Sequence, residues 1–524
     1  MSTMRSTPAP VTPACGDDAC YLALKARDAR FDGQFFTGVT STGIYCRPVC
    51  RVRTPKRENC RFFALAAQAE AAGFRPCLRC RPELAPGAAA VATTTVPWSV
   101  QDASSILARQ AACLLDTPEG WSEGAPSIAA LAARLGVSAR HVRRIFEAQW
   151  GVSPLQYLQT RRLLTAKQLL TDTPLPITQV AALSGYASVR RFNAAFASHY
   201  RLQPRQLRLA SHPGGESTPA TGSIVLKAAY RPPYDVAAML DFFATRQIDG
   251  LEAVDRDRLT LTRTLALDMA GQARQGWVQA RFEPERCTVV LHISASLAGA
   301  LPLVRARLRA LLDLDADPCA IAAVLESDFP GTAGLRVPGC LDGFELGVRA
   351  ILGQQITVRA ARTLGARLVE RYGTPLADAP GPVTRLFPTP QALGAASGED
   401  LGQLGIVRQR QRAIQALAQA VAEGRLSLHP GADVPATLAA LQALPGVGPW
   451  TAHYIAMRAL RWPDAFPAGD VALHKALGVQ DAPRLQQAAE QASQRWRPWR
   501  SYAVVRAWAR LAAPPPDTIS LSNT

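Results

Sequence analysis

The sequence predicts a multidomain, mainly α-helical protein with α+β parts, on three observations. Its 524 residues exceed what one ordinary hydrophobic core organises. Seven of its eleven cysteines fall before residue 88. The hydrophobic period then changes along the chain, from helical to alternating near 224 and back to helical after 300. The expected order is a small four-cysteine domain at 1–90, a duplicated helix–turn–helix domain at 97–210 and a linker at 211–223. A small antiparallel α+β domain at 224–300 and an all-α domain at 301–512 complete it.

With 48% hydrophobic residues the chain is not intrinsically disordered. The formal charge is +17, unevenly spread: residues 1–210 hold 26 Lys+Arg against 13 Asp+Glu, and the remainder 32 against 28. A polyanion suits the basic part, because each Lys or Arg set against a phosphate releases condensed counterion; charge alone also fits an anionic membrane surface. The N-terminal MSTMRSTPAPVTPACGDD lacks the apolar core of a signal peptide, and nowhere do 18 consecutive apolar residues occur. A soluble cytosolic protein without a membrane partner is therefore expected. Eleven cysteines, an odd number, in such a compartment argue for metal binding or a reactive thiol rather than a disulfide framework.

The first domain ends in the small-residue run Ala85-Pro86-Gly87-Ala88. Within it, Cys46-x3-Cys50 and Cys77-x2-Cys80 are two close cysteine pairs, the pattern that builds a tetrahedral four-cysteine zinc site. Arg47, Arg51, Arg53, Lys56, Arg57, Arg61, Arg75, Arg79 and Arg81 surround it, with Glu58 and Glu70 the only acids between 46 and 82. That balance suits a phosphate-binding surface, although spacing alone favours a purely structural zinc staple, since most all-cysteine zinc sites are closed and inert. Thr42 to Cys50, Arg57-Glu58-Asn59 and Ala72 to Pro82 closely resemble the Ada-type methylphosphotriester acceptor of the bacterial adaptive-response regulators. The resemblance implies one zinc ion on Cys46, Cys50, Cys77 and Cys80, with Cys46 taking a methyl group from a backbone phosphotriester. Four thiolates on a divalent zinc leave about −2, electron-rich enough for one sulfur to attack a methyl carbon. Alkylation leaves about −1 beside DNA phosphate, so DNA affinity should rise. Cys15, Cys20, Cys60 and Cys113 fall outside the pattern and are expected to be small buried residues.

Ser127 to Leu135, Gly136-Val137-Ser138 and Ala139 to Glu147 read as a helix, a glycine turn and a second helix carrying Arg140, His141, Arg143 and Arg144, with Ser138 its N-cap. A second copy runs from Ile177 to Tyr186 and on through Ser188 to Ser198, with Arg190 and Arg191. Glycine-interrupted helix pairs also occur in bundles that bind nothing. Gly185-Tyr186 with Phe192, Phe196 and Pro204 resembles the AraC-type transcription-factor domain. The resemblance implies Arg140, His141, Arg143 and Arg144 near base edges in one major groove and Arg190, Arg191 and Asn193 in the next.

After a Gly/Pro/Ser-rich stretch at 211–219, Ile224-Val225-Leu226, Leu259 to Arg263 and Cys287 to Ile293 read as strands. Further on, Leu444-Pro445-Gly446-Val447-Gly448-Pro449-Trp450 is a helix-hairpin-helix signature in which Gly446 and Gly448 let backbone N–H groups approach a phosphate. Asp470 follows 22 residues past Gly448; taken alone, such an aspartate is more often a helix N-cap than a catalyst. From 224 to 512 the chain resembles DNA-3-methyladenine glycosylase II of the helix-hairpin-helix superfamily. Pro232-Pro233-Tyr234-Asp235, Pro338 to Glu345, Arg349 to Gln355, Phe387 to Pro390 and Trp496 to Ala503 carry the match.

That resemblance implies Asp470 as the catalytic carboxylate and Trp450, Tyr454, Trp508 and Phe242 as the aromatic lesion pocket, each of which also fits a plain core position. A base alkylated on a ring nitrogen is cationic and already a good leaving group, so aromatic faces can hold it by cation–π attraction. Asp470 would stabilise the developing sugar cation or orient water. Where bifunctional relatives carry a Schiff-base lysine this chain has Trp450, which implies no strand cleavage. Gln355 occupies the position of the family's intercalating leucine, and Ala509 that of a pocket tyrosine.

The two halves together imply an alkylation-repair protein of the bacterial cytoplasm, nucleoid-associated when bound to DNA. It would act as a monofunctional glycosylase without cofactor, a single-turnover methyl acceptor with one zinc, and a transcriptional regulator. The implied partners are alkylated and promoter double-stranded DNA and RNA polymerase. No Pro-Cys-His-Arg motif of the guanine-oxygen transferase occurs, so that activity is not expected. The alternative is a DNA-binding regulator whose glycosylase domain no longer catalyses.

Overall fold

Short aromatic-rich runs in the cysteine domain pair into a sheet. Strands β1 (Phe36–Val39), β2 (Ile44–Cys46), β3 (Cys60–Phe63) and β4 (Arg75–Pro76) form it in the order β3-β1-β2-β4. The computed structural model describes residues 12–13, 15–87, 100–116, 127–211, 222–269 and 272–512. Residues 1–11, most of the expected linker and the chain from Pro514 lie outside them. Phe36, Tyr45, Ala69 and Phe74 are the small buried core beneath this sheet.

Both expected helix–turn–helix units are present. Helix Ile128–Arg134 is capped by Ser127, Gly136 turns the chain at φ +67°, and helix Ala139–Trp150 follows with Ser138 as N-cap. In the second copy, helix Ile177–Leu183 leads through Gly185 at φ +79° to helix Val189–Tyr200, capped by Ser188. A left-handed φ at each turn is accessible to glycine without strain. The 19-residue helix Pro154–Asp172 joins the two units.

Alternation of apolar and polar residues builds the second sheet. Strands β5 (Ser223–Ala229), β6 (Glu252–Asp255), β7 (Thr260–Met269), β8 (Gln272–Glu283) and β9 (Thr288–Ser294) pair antiparallel in the order β5-β9-β8-β7-β6. The sequence reading captured β5, β7 and β9 and missed β6 and β8. In β8, Gly276, Val278, Ala280 and Phe282 are buried while Arg274, Gln275 and Arg281 are not, so its polar face hides a clear period of two. Helix Leu301–Leu311 packs into the same core as this sheet, which therefore extends past residue 300. That core also takes in Leu169, Val180, Phe192 and Phe196 of the second helix–turn–helix unit. The remaining helices bury two further cores, one around Ile351, Leu368, Ile414 and Ile455 and one around Phe329, Met457, Phe466 and Trp496. Among the described residues no helix is long and apolar enough to cross a membrane.

Candidate active site and metal centre

Strand register assembles the cysteine cluster. The parallel pairing of β2 with β4 sets Ile44 against Arg75 and Tyr45 against Pro76, so Cys46 and Cys77 follow side by side. The Cys77 N–H donates to the Tyr45 carbonyl at 2.9 Å, and the Cys50 N–H closes a turn on the Arg47 carbonyl at 3.2 Å. The four sulfurs all lie within 4.8 Å of one another. Tetrahedral zinc with bonds of about 2.3 Å holds its sulfurs roughly 3.8 Å apart, so separations within 4.8 Å fit a zinc donor set. Cys46, Cys50 and Cys77 are buried, and Cys80 is the most open of the four. The Arg47 backbone N–H donates to Cys80 Sγ at 3.3 Å, a contact that favours a thiolate.

The surrounding cations divide into two sets. Arg47 is 7% exposed and spends its guanidinium on Asp32 and the Cys80 carbonyl. Arg81 pairs with Glu83 and Asp172, and Arg57 with Asp17 and Asp18. Arg51, Arg53, Lys56, Arg61 and Arg79 are exposed, so the expected phosphate surface is smaller than the arginine count implies. Cys20 and Cys60 are buried as expected and Cys15 is half-buried. Cys113 is exposed, contrary to expectation, because it lies on the outer side of its helix against the Pro430 carbonyl.

Glu70 joins this domain to the helix–turn–helix unit, accepting from Tyr45 Oη at 3.0 Å and Thr160 Oγ1 at 2.6 Å. Burial pushes its carboxyl up to about 7, against the lowering effect of those two bonds. A folded-state pKa above the unfolded one means that stability is fullest below about pH 4.5 and is lost as pH rises towards 7. Between pH 5.5 and 8 the wild type should lose on the order of 2 kcal/mol that Glu70→Gln does not lose. Parallel denaturant titrations of the two proteins at both pH values measure it.

On helix Ala139–Trp150, Arg140, Arg143 and Arg144 are exposed and His141 half-buried, with Arg144 Nη2 2.9 Å from His141 Nδ1. Arg190 and Arg191 are exposed on the second, with Asn193 half-buried beside them.

The hairpin joins helix Val434–Gln442 to helix Pro449–Arg458. Gly446 turns at φ +76°, where an added Cβ would stand 3.3 Å from Ala413 Cβ. Val447 is buried between two exposed glycines, which anchors the loop and leaves its backbone open. Gln354 ties the neighbouring turn to it, donating to the Gly446 carbonyl at 2.9 Å and to Thr451 Oγ1 at 3.0 Å. Gln355 follows, exposed at φ +54° and not among the residues lining the cavity below.

A cavity of about 320 Å³ opens beside the hairpin, lined by Phe242, Trp450, Tyr454, Arg458, Asp470 and Trp508 among others. Asp470 caps helix Val471–Leu477: its Oδ1 accepts from the N–H groups of Ala472 and Leu473 at 2.8 and 3.3 Å. Its Oδ2 accepts from the indoles of Trp450 at 3.0 Å and Trp508 at 3.2 Å. Asp470 is thus an N-cap whose second carboxylate oxygen faces the aromatic groups of the cavity. All four partners are neutral donors, and among the described residues no salt bridge to Asp470 is formed. The other two acids on the wall are neutralised: Glu252 and Glu345 both pair with Arg263 and Arg349 at 2.6–3.2 Å. Burial raises the Glu345 pKa, but Arg263 and Arg349 outweigh it and hold the carboxyl below its ordinary range.

Trp450 stacks on Tyr454 with centroids 5.2 Å apart at 10°, and Trp508 leans on Tyr454 at 6.1 Å. The Phe242 ring already carries two guanidiniums, Arg246 at 3.9 Å and Arg458 at 4.7 Å from its centroid. Arg458 also donates to Tyr454 Oη at 2.5 Å. Burial raises the Tyr454 phenol, yet Arg458 and Arg246 bring its pKa below the ordinary value. Sequence reasoning missed these arginines. The signal was available as i,i+4 pairs, Phe242 with Arg246 and Tyr454 with Arg458, which share a helix face.

Residues 19–83 match the family described as the metal binding domain of Ada, and 131–210 a helix-turn-helix domain. Residues 225–342 match the AlkA N-terminal domain, and 348–501 the HhH-GPD superfamily of base excision DNA repair proteins. The chain is 38% identical over 506 residues to the "Probable bifunctional transcriptional activator/DNA repair enzyme AlkA" of Mycobacterium tuberculosis, covering 95% of this chain and 97% of that one. It is 37% identical over 279 residues to DNA-3-methyladenine glycosylase 2 of Escherichia coli, 53% of this chain and 95% of that one. To the bifunctional transcriptional activator/DNA repair enzyme Ada of Escherichia coli it is 36% identical over 207 residues, 38% of this chain and 50% of the relative. By its near full-length match and its four successive domain matches, the chain belongs to the family of bifunctional transcriptional activator/DNA repair enzymes AlkA.

Proposed function

We propose that this chain repairs alkylated DNA twice over: it excises alkylated bases such as 3-methyladenine as a monofunctional glycosylase, and it accepts methyl groups from DNA phosphotriesters on Cys46. The observation that carries the first activity is Asp470, a carboxylate without an ion-pair partner among the described residues, at an aromatic cavity beside the hairpin. Backbone N–H groups around Gly446 and Gly448 hold the DNA phosphates. The flipped base enters against Trp450, Tyr454 and Trp508, with Phe242 closing the wall and Gln355 reaching into the gap left in the duplex. As the bond from C1′ to the base nitrogen breaks, its electron pair leaves with the base and Asp470 stabilises the sugar cation. Water adds at C1′ and loses a proton. Without a lysine at position 450 no Schiff base forms and the strand stays intact. This reaction uses no cofactor.

Cys46, Cys50, Cys77 and Cys80 would hold one zinc ion, which keeps the thiolates anionic at neutral pH. The Cys46 sulfur attacks the methyl carbon, the carbon–oxygen bond breaks, and the phosphodiester departs as an anion. Arg140, His141, Arg143, Arg144, Arg190 and Arg191 then read promoter DNA for an activator that works with RNA polymerase in the bacterial cytoplasm, associated with the nucleoid. The modules divide near residues 90, 97, 210 and 224 as the sequence suggests, whereas the α+β module runs past the expected boundary at 300.

Incubating the protein with methylated duplex DNA and measuring released bases tests the glycosylase reading; no release by the wild type would favour a regulator with an inert glycosylase domain. Trp508→Phe keeps an aromatic face but removes one indole bond to the carboxylate. It should lower kcat about tenfold to a hundredfold with little change in KM, the span expected for one hydrogen bond to a charged group. Single-turnover release kinetics check it.

A further inference from the structure

Arg231 has no exposed surface, and its guanidinium is bound by carbonyl oxygens from separate parts of the chain. It donates to Asp32 O at 2.8 Å and Gly87 O at 2.6 Å in the cysteine domain, and to Asp315 O at 2.8 Å and Ala316 O at 3.1 Å in the glycosylase half. No carboxylate bonds to it among the described residues, so the cation depends on both sides of this junction for its hydrogen bonds. Gly33, at φ +75°, makes the close approach possible: a Cβ there would lie 2.1 Å from the Pro86 carbonyl and 3.1 Å from Arg231 Nη2. Around the clamp, Gln34 Nε2 donates to Asp317 Oδ2 at 3.0 Å and the Gly87 N–H to Asp315 Oδ1.

The same residue that gives its carbonyl to Arg231 gives its carboxylate to Arg47. Asp32 and Arg47 form a two-bond ion pair, 2% and 7% exposed. Arg47 sits in the cysteine loop, with Nη1 on the Cys80 carbonyl at 3.0 Å and its backbone N–H on Cys80 Sγ at 3.3 Å. A continuous line of buried polar contacts therefore runs from a cluster sulfur through Arg47, Asp32 and Arg231 to residues 315–316. A shifted Cys80 would remove both of Arg47's contacts to it, and the buried Arg47–Asp32 pair, whose backbone also holds Arg231, would have to readjust to keep its guanidinium satisfied.

We infer that the Arg47–Asp32–Arg231 line makes docking of the cysteine domain on the glycosylase half conditional on an assembled cluster, so the state of the phosphotriester-acceptor site is felt in the glycosylase half. The inference rests on the zinc reading of Cys46, Cys50, Cys77 and Cys80. Hydrogen–deuterium exchange on the full chain, with zinc content measured alongside, tests it. Removing zinc with a chelator should speed exchange in 28–34 and also in 309–318 of the glycosylase half. In the zinc-loaded Arg231→Met protein, both segments should exchange at least tenfold faster while zinc content stays unchanged. Asp32→Asn, which keeps the side-chain volume, should give the same pattern more weakly. Faster exchange confined to the cysteine domain after chelation overturns the coupling. Unaltered exchange in zinc-loaded Arg231→Met overturns the clamp. Protein that retains no zinc overturns the metal reading instead, with the Arg231 result still reporting on docking.

Discussion

Asp470→Asn should reduce base release by two to four orders of magnitude, the range for loss of a positioned charge at a reacting centre, while the protein stays folded. The substitution separates two roles that one residue fills. Asparagine caps a helix as well as aspartate does, so the bonds to Ala472 and Leu473 survive. The amide nitrogen, however, cannot accept from the indoles of Trp450 and Trp508, which now share one carboxylate oxygen. Losing those bonds costs about 1–2 kcal/mol, or a melting shift of a few degrees in a domain of this size. A pure capping residue would leave the rate of base release unchanged. Single-turnover release and thermal unfolding, run on the same preparation, distinguish the two.

Cys46→Ala should abolish methyl transfer to the protein and lower zinc content, leaving base release within about threefold of wild type. The nucleophile is open to direct challenge, since Cys46 is 6% exposed and Cys80 is the more accessible sulfur. Peptide mass spectrometry after reaction with phosphotriester DNA should find the added methyl on Cys46. A methyl on Cys80 would reassign the acceptor and leave the rest of the account standing.

The four-cysteine cluster was legible because two close cysteine pairs are local patterns, and the strand register that joins them needs only short β2 and β4. Helix caps and glycine turns were legible for the same reason: Ser127, Ser138, Ser188, Gly136 and Gly185 act within a few residues of themselves. Less was visible where long-range partners decide. Arg47 and Arg81 look like phosphate ligands by composition, yet they turn inward to Asp32, Glu83 and Asp172, acids up to 91 positions away. Phe242 reads as a stacking face until Arg246 and Arg458 are found over its ring. Strand β8 escaped because Gln275, Gln279 and Arg281 mask a buried alternate face. Nothing local in Arg231 signals that it is held by carbonyls contributed from residues 32, 87, 315 and 316.

The central claim, that one chain carries two repair chemistries at separate sites, is tested by a duplex bearing radiolabelled methylphosphotriesters and radiolabelled 3-methyladenine. The account predicts label on Cys46 of the wild type together with free labelled base, the second product alone from Cys46→Ala and the first alone from Asp470→Asn. Labelled base that stays in the DNA with the wild type, or release that persists undiminished in Asp470→Asn, would contradict it.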